Sequence, residues 1–214
     1  MTDGPAFPLI IALAGLLLSP AAEWLISLRL PRLGGPPPLR VRITTAAVTS
    51  LLFGLLAWRF DASWELPAFL FLALLGVQLS RIDFALHLLP NVLVVLLLGG
   101  GLLLLTASAA LAPGWPELFR ALASGAILFA GYLILGLISP GSLGMGDVKL
   151  AAPVGMYLGY LGWEQVLFGG LLGFVVGGVL TVLMLRLRRA EKPTESAHGP
   201  AMVIAALGVA LVMN

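Results

Sequence analysis

Eight apolar segments follow one another along this chain with only short polar links between them. They run from about Phe7 to Leu30, Ile43 to Trp58, Leu66 to Ile82, Val92 to Leu111, Phe119 to Ile138, Val148 to Leu161, Gln165 to Leu187 and Pro200 to Met213. Such a pattern needs lipid as its solvent, and in lipid only helices or closed barrels satisfy every backbone N–H and C=O. The segment lengths suit helices, since a crossing takes about 20 residues and eight would use on the order of 160. The chain has 214 residues, 60% of them hydrophobic and 10% charged, so short loops remain but no separate soluble domain. The expected fold class is all-α: a polytopic integral membrane helical bundle of about eight transmembrane helices, with residues 1–214 as a single transmembrane domain. The last apolar run is short for a full crossing and is counted as the eighth helix.

Loop charge orients the bundle. Met1 to Pro5 holds Asp3 and no basic residue, unlike the positive start of a secretory signal, so the first segment reads as a retained helix with its N-terminus outside. Ser19-Pro20 predicts a kink in it. Alternation then places Arg29, Arg32, Arg40, Arg42, Arg81, Lys149, Arg186, Arg188, Arg189 and Lys192 on the cytoplasmic side, and only Arg59 and Arg120 outside. That asymmetry is the one the positive-inside rule expects, and a missed helix would scramble it. Trp58, Trp64, Trp115 and Trp163 fall at the outer ends, as an interfacial belt would. The stretches Arg29 to Arg42 and Arg188 to Gly199 read as cytoplasmic loops, and both termini as external.

The absence of cysteine excludes thiolate zinc sites, disulfides and thiol nucleophiles. No nucleotide or dinucleotide motif is present, and no nucleic-acid partner is expected. Gly169, Gly173 and Gly177 recur every four residues and Gly99-Gly100-Gly101 interrupts another apolar run; both patterns permit close helix contact, with internal packing preferred over a dimer face. Nothing in the sequence sets the oligomeric state.

Against this background Gly144-Met145-Gly146-Asp147-Val148-Lys149-Leu150 places an acid at the start of the sixth helix, and Asp83 closes the third. On the topology above both lie at the cytoplasmic ends of their segments and can meet. Ionisable groups in membrane segments point to function, although interfacial acids need less explanation. Each also has a plain structural reading: Asp83 as a solvated loop acid beside Arg81, and Asp147 as a helix N-cap. Lys149, two residues from Asp147, would not face it on a regular helix and reads first as a snorkelling lysine, with a lipid-phosphate or substrate contact as the alternative. His87 and His198 read as structural interfacial residues.

The surrounding residues add a resemblance. Asp83 is followed by Pro90-Asn91, Gly144-x-Gly146-Asp147 continues into Ala151-Ala152-x-x-Gly155, and His198-Gly199-Pro200 precedes the last helix. These motifs agree in order, spacing and membrane side, and the chain from about the third helix onward resembles the type IV prepilin peptidase family, intramembrane aspartyl proteases with a Gly-x-Gly-Asp motif. The resemblance implies a membrane aspartyl endopeptidase with Asp83 and Asp147 as catalytic pair, and Gly144, Gly146, Lys149, Pro90, Gly199 and Pro200 binding substrate or shaping the site. It implies no metal and no cofactor. The partners would be prepilin-like precursors and membrane lipid, in a bacterial or archaeal plasma membrane with the site facing the cytoplasm. Many bacterial members carry a cysteine-containing cytoplasmic domain between the first two helices and methylate the new N-terminus; here that loop is short and cysteine-free, which predicts a peptidase-only form. Phe84 to Leu89 is more apolar than the basic linker such members lead one to expect.

Two carboxylates suffice for peptide hydrolysis: one ionised to take a proton from water, one protonated to hydrogen-bond the scissile carbonyl. Close like charges resist double ionisation and share a proton. Asp147 would sit at the positive end of a helix dipole and Asp83 at a negative end, which assigns base to Asp147 and proton carrier to Asp83. Glycines at 144 and 146 would let an extended substrate strand approach, or supply a left-handed turn. Two rival functions remain: a proton-coupled transporter using the pair, which predicts acids near the midplane, and a non-catalytic assembly subunit, in which both acids are replaceable.

Overall fold

In a computed structural model, which describes residues 4–33, 35–138, 144–187 and 198–213, the apolar segments form eight α-helices. They are α1 (Ala6–Arg29), α2 (Leu39–Phe60), α3 (Leu66–Leu86), α4 (Asn91–Leu111), α5 (Trp115–Ile138), α6 (Met145–Leu161), α7 (Trp163–Leu187) and α8 (Gly199–Val212), with a 3-10 turn at Pro31–Leu33. There is no strand among the described residues. The first five helices are long and apolar enough to cross a membrane. The polar loop expected at Arg188 to Gly199, with Arg188, Arg189 and Lys192, lies outside the described residues as far as position 197.

Helix length sorts the bundle into centre and wall. At 1.5 Å per residue α6 rises about 25 Å and α8 about 21 Å, short of the roughly 30 Å hydrocarbon core. Both are buried on most faces, α6 through Leu150, Ala151, Met156 and Tyr157, and α8 through Ala201, Met202, Ala205 and Ala206. They form the centre, and the longer helices wrap them. Small residues bring the backbones together: a Cβ on Gly155 would stand 2.6 Å from the Ser124 carbonyl oxygen, and one on Gly125 2.9 Å from that of Ala152. Close α5–α6 contact of this kind replaces the hydrophobic drive that lipid does not supply between helices. Gly99 and Gly178 face open space, whereas Gly169 packs against Leu158, Gly177 against the His198 ring, Gly100 against Phe71 and Gly101 against Tyr157. Internal packing is the role of the latter; α4 runs unbroken through Gly99 to Gly101.

The two arginines on the sparsely charged side are helix caps. Arg120 donates to the carbonyls of Gly159 (2.7 Å), Tyr160 (2.8 Å) and Leu161 (3.3 Å) at the C-terminus of α6. Arg59 donates to Met213, which ends α8, at 3.0 Å. A cation at a helix C-terminus satisfies open carbonyls and the negative dipole end together. The two short central helices are thus tied at one end of the bundle, and the exposed Trp58, Trp64, Trp115 and Trp163 belong to helix ends there.

Several boundaries differ from the sequence reading. α2 starts at Leu39, after Pro38 as N-cap, so Arg40 and Arg42 lie in its first turn rather than in a loop. α3 runs four residues further, to Leu86, and takes in Arg81, Asp83 and the start of the expected linker. α6 starts at Met145, three residues early, with Gly144 as N-cap. α1 continues through Pro20 as one helix.

Candidate active site

α3 ends because His87 turns left-handed, at φ 49 and ψ 44, and its N–H bonds back to the Asp83 carbonyl at 2.8 Å. This end fixes Asp83 in the last turn with its side chain directed inward, 5% exposed. Its backbone is helical and its carboxyl buried, so it is not a solvated loop acid, and the neighbouring Arg81 donates instead to Gln78 Oε1 at 3.1 Å. The Gly199 backbone at the start of α8 lies against the carboxyl, and a Cβ there would come within 3.1 Å of Oδ2. That oxygen is buried and accepts no hydrogen bond among the described residues.

Asp147 is the third residue of α6, and its N–H donates to the Gly144 carbonyl at 3.0 Å. It is not the N-cap, because the helix begins two residues earlier; the cap is Gly144, in extended conformation at φ −69 and ψ 140. Asp147 is 4% exposed and lies in the first turn, where the helix dipole favours an anion.

A cavity of about 440 Å³ opens at this end of the bundle, and Asp83 and Asp147 both line it, with His87, Asn91, Gly144 and Lys149. The glycines are needed for space rather than for backbone freedom, since neither Gly144 nor Gly146 has positive φ. A Cβ on Gly144 would stand 3.3 Å from Asp147 Oδ2. One on Gly146 would stand 2.9 Å from the Leu89 Cβ, and one on Gly199 3.0 Å from a Leu89 methyl. Gly146, which also lines the cavity, lets α6 close on the linker that carries Leu89. Leu89 is a wedge seated by two glycines from different helices, and nothing in the sequence marks it.

The other expected residues fall around this centre. Pro90, buried, is the N-cap of α4 and lines the cavity. Lys149 is exposed and its Nζ donates to Asn91 Oδ1 at 3.0 Å, joining the starts of α6 and α4. Pro200 occupies the first turn of α8, buried and outside the cavity lining. His198, just before α8, is buried, 7% exposed. Its Nε2 is 3.2 Å from the Tyr132 hydroxyl, and its ring forms a cluster with those of Tyr132 and Phe174 at centroid distances of 5.8 and 5.3 Å. Tyr132 lies within electrostatic reach of Asp147, so this cluster backs the cavity from α5, α7 and α8. Burial pushes the His198 imidazole below its ordinary pKa, which favours its neutral form.

Known proteins resemble this chain over most of its length. Residues 66–182 match the model of the type IV leader peptidase family, a span that starts with α3 and contains both aspartates. The Prepilin leader peptidase/N-methyltransferase of Pseudomonas aeruginosa is 37% identical over 158 residues, 73% of this chain and 53% of that protein. The proteins of the same name from Stutzerimonas stutzeri and Pseudomonas putida are 35% identical over 72% of this chain and 30% identical over 73%, with 53% of each covered. The chain thus spans about half the length of the curated relatives it matches. No solved structure matches it.

Proposed function

Because this chain belongs to the type IV leader peptidase family, we propose that it is a membrane aspartyl endopeptidase cleaving the short leader from pilin-like precursors, with Asp83 and Asp147 as its acid/base pair. The observation that carries this reading is that two carboxyl groups 5% and 4% exposed, from residues 64 positions apart in the sequence, line one cavity. Asp147 takes the proton from the attacking water. Asp83, buried in the last turn of α3 at the negative end of that helix dipole, carries the shared proton and gives it to the scissile carbonyl oxygen. When the tetrahedral diol collapses and the C–N bond breaks, Asp147 gives its proton to the leaving amine and Asp83 takes one back from a diol hydroxyl, so both acids return to their starting states. Gly144 keeps space beside the Asp147 carboxylate, while Lys149 with Asn91 and Leu89 with Gly146 and Gly199 hold the three helix ends together.

The single-unit peptidase reading places the whole reaction in the bundle, at the cytoplasmic face of a plasma membrane. Loop charge supports the face. α6 and α8 begin beside the carboxylates, next to the end of α3 and the start of α4, so a precursor must present an unwound segment at this end of the bundle. The missing cysteines and the short link 30–38 support cleavage without N-methylation.

The test is purified protein in lipid with a synthetic precursor made of a basic leader, a glycine and an apolar helix, S-adenosylmethionine present, read by mass spectrometry. Cleavage after the leader with an unmethylated product is expected. An intact precursor, or a stoichiometrically methylated product, contradicts the corresponding half of the proposal.

A further inference from the structure

Away from the candidate active site, two cavities meet at one arginine. The larger, about 830 Å³, is an apolar groove between α2, α3 and α8, walled by residues such as Val41, Val48, Phe84, Ile204 and Leu207. The smaller, about 210 Å³, lies at the α1–α2 link and contains Glu23, Ser27 and the prolines 36–38. Pro37, Pro38, Arg81 and Ala85 line both, so an apolar trough ends in a polar chamber without a break. Asp83 lines neither.

The polar end is built rather than incidental. Glu23, 1% exposed inside α1, accepts a hydrogen bond from the Thr45 hydroxyl and pairs with Arg42 Nε at 3.5 Å. Gln78, fully buried, donates to Ser19 Oγ at 3.4 Å and accepts from Arg81 Nε at 3.1 Å. That chain fixes the Arg81 guanidinium, whose remaining nitrogens make no hydrogen bond among the described residues. Beside it the Ser80 Oγ, which also lines the groove, is buried without a partner. Glu23 is ion-paired with Arg42, which lies outside both linings, and this leaves Arg81 as the lining cation without an ion pair among the described residues.

We propose that this composite cavity holds one anionic phospholipid, its phosphate on Arg81 and Ser80 and an acyl chain in the groove along α8. An apolar volume of this size suits a single small amphiphile, and guanidinium is suited to bidentate phosphate binding. The Arg81 charge selects an anionic over a zwitterionic headgroup.

The experiment is native mass spectrometry of the delipidated full chain with dioleoylphosphatidylglycerol, dioleoylphosphatidylcholine or inorganic phosphate. One phosphatidylglycerol should be retained, on the order of tenfold better than phosphatidylcholine, and inorganic phosphate should not displace it. Arg81→Gln should abolish the preference. Gly208→Leu is the safer variant, because Gly208 lines the groove and a Cβ there meets nothing within 4 Å. It should keep the fold and lose retention of either lipid about tenfold, the cost of refusing a well-buried chain. Equal retention of the two lipids, full displacement by phosphate, or unchanged retention in Gly208→Leu overturns the proposal. Gly208→Leu that retains lipid and raises KM for a precursor would give the groove to the precursor instead. None of the lipid readouts needs cleavage, so they stand or fall apart from the peptidase reading.

Discussion

Glu23 and Asp83 are both acids buried at the same end of this bundle, and they are buried in opposite ways. Glu23 has the Arg42 guanidinium at 3.5 Å and the Thr45 hydroxyl on its other oxygen, so its charge is answered inside the protein. Asp83 has an oxygen with no donor and faces a cavity it shares with a second carboxyl. A paired buried charge costs little more than its desolvation, whereas an unanswered one is tolerated only where something else is gained. The difference separates an acid that holds α1 against α2 from one kept available for proton transfer.

The largest effect should come from exchanging each acid for its amide. Asp83→Asn should lower cleavage per folded molecule by roughly 10²-fold to 10⁴-fold, the range for losing a general acid or base. Glu23→Gln should stay within a few-fold of full activity and instead lose about 1–3 kcal/mol of stability, because a charged hydrogen bond is weakened and Arg42 loses its counter-charge. Melting and cleavage measured on the same preparations give both numbers, and a Glu23→Gln protein that is stable but inactive would erase the distinction.

Crowding at Leu89 sets the next effect. Gly146→Val should cost cleavage about 100-fold through displacement of the α6 start, and Gly146→Ala about tenfold. Leu89→Ala in the Gly146→Ala background should restore only part of the loss, since it removes the contacts with the outer Leu89 carbons at 3.2 and 3.5 Å but keeps the Cβ at 2.9 Å. Full activity of Gly146→Val per folded molecule would show that the glycine has no part in shaping the site. Gly144→Ala, with its Cβ 3.3 Å from the Asp147 carboxylate, should cost only a few-fold in kcat, because its neighbour needs to give by a few tenths of an ångström.

The smallest effect is pH-dependent. Burial holds the folded-state pKa of His198 below its ordinary value, so the unfolded chain binds the extra proton. Its contribution is therefore complete above the unfolded pKa of about 6.5 and is lost as pH falls below it, by at most about 1.4 kcal/mol per pH unit. His198→Phe should flatten that part of a Tm-against-pH curve, and an unchanged slope would assign it to another group.

Much of this was legible in the sequence. Eight apolar runs give eight helices, because backbone satisfaction in lipid leaves no other choice, and the Gly-x-Gly-Asp stretch with Asp83 already marks the cavity. What periodicity could not supply was contact across helices. Leu89 is an ordinary leucine until Gly146 and Gly199 close on it, and Tyr132 an ordinary tyrosine until α8 brings His198 beside it. Glu23 is the exception: a lone acid inside a 24-residue apolar helix is a readable signal, and its partner Arg42 was hidden because Pro38 starts α2 earlier than its apolar run. Asp147 likewise shifts from N-cap to first turn because the glycine-containing start of α6 is already helical.

The central claim, that Asp83 and Asp147 act as one unit, is tested most directly by the cleavage rates of Asp83→Asn, Asp147→Asn and the double variant in lipid, normalised to folded protein. Groups that act as a unit are grossly non-additive. The account predicts that all three fall to the same floor while accumulating in the membrane like the parent chain; substantial cleavage by either single variant, or losses that multiply in the double variant, would contradict it.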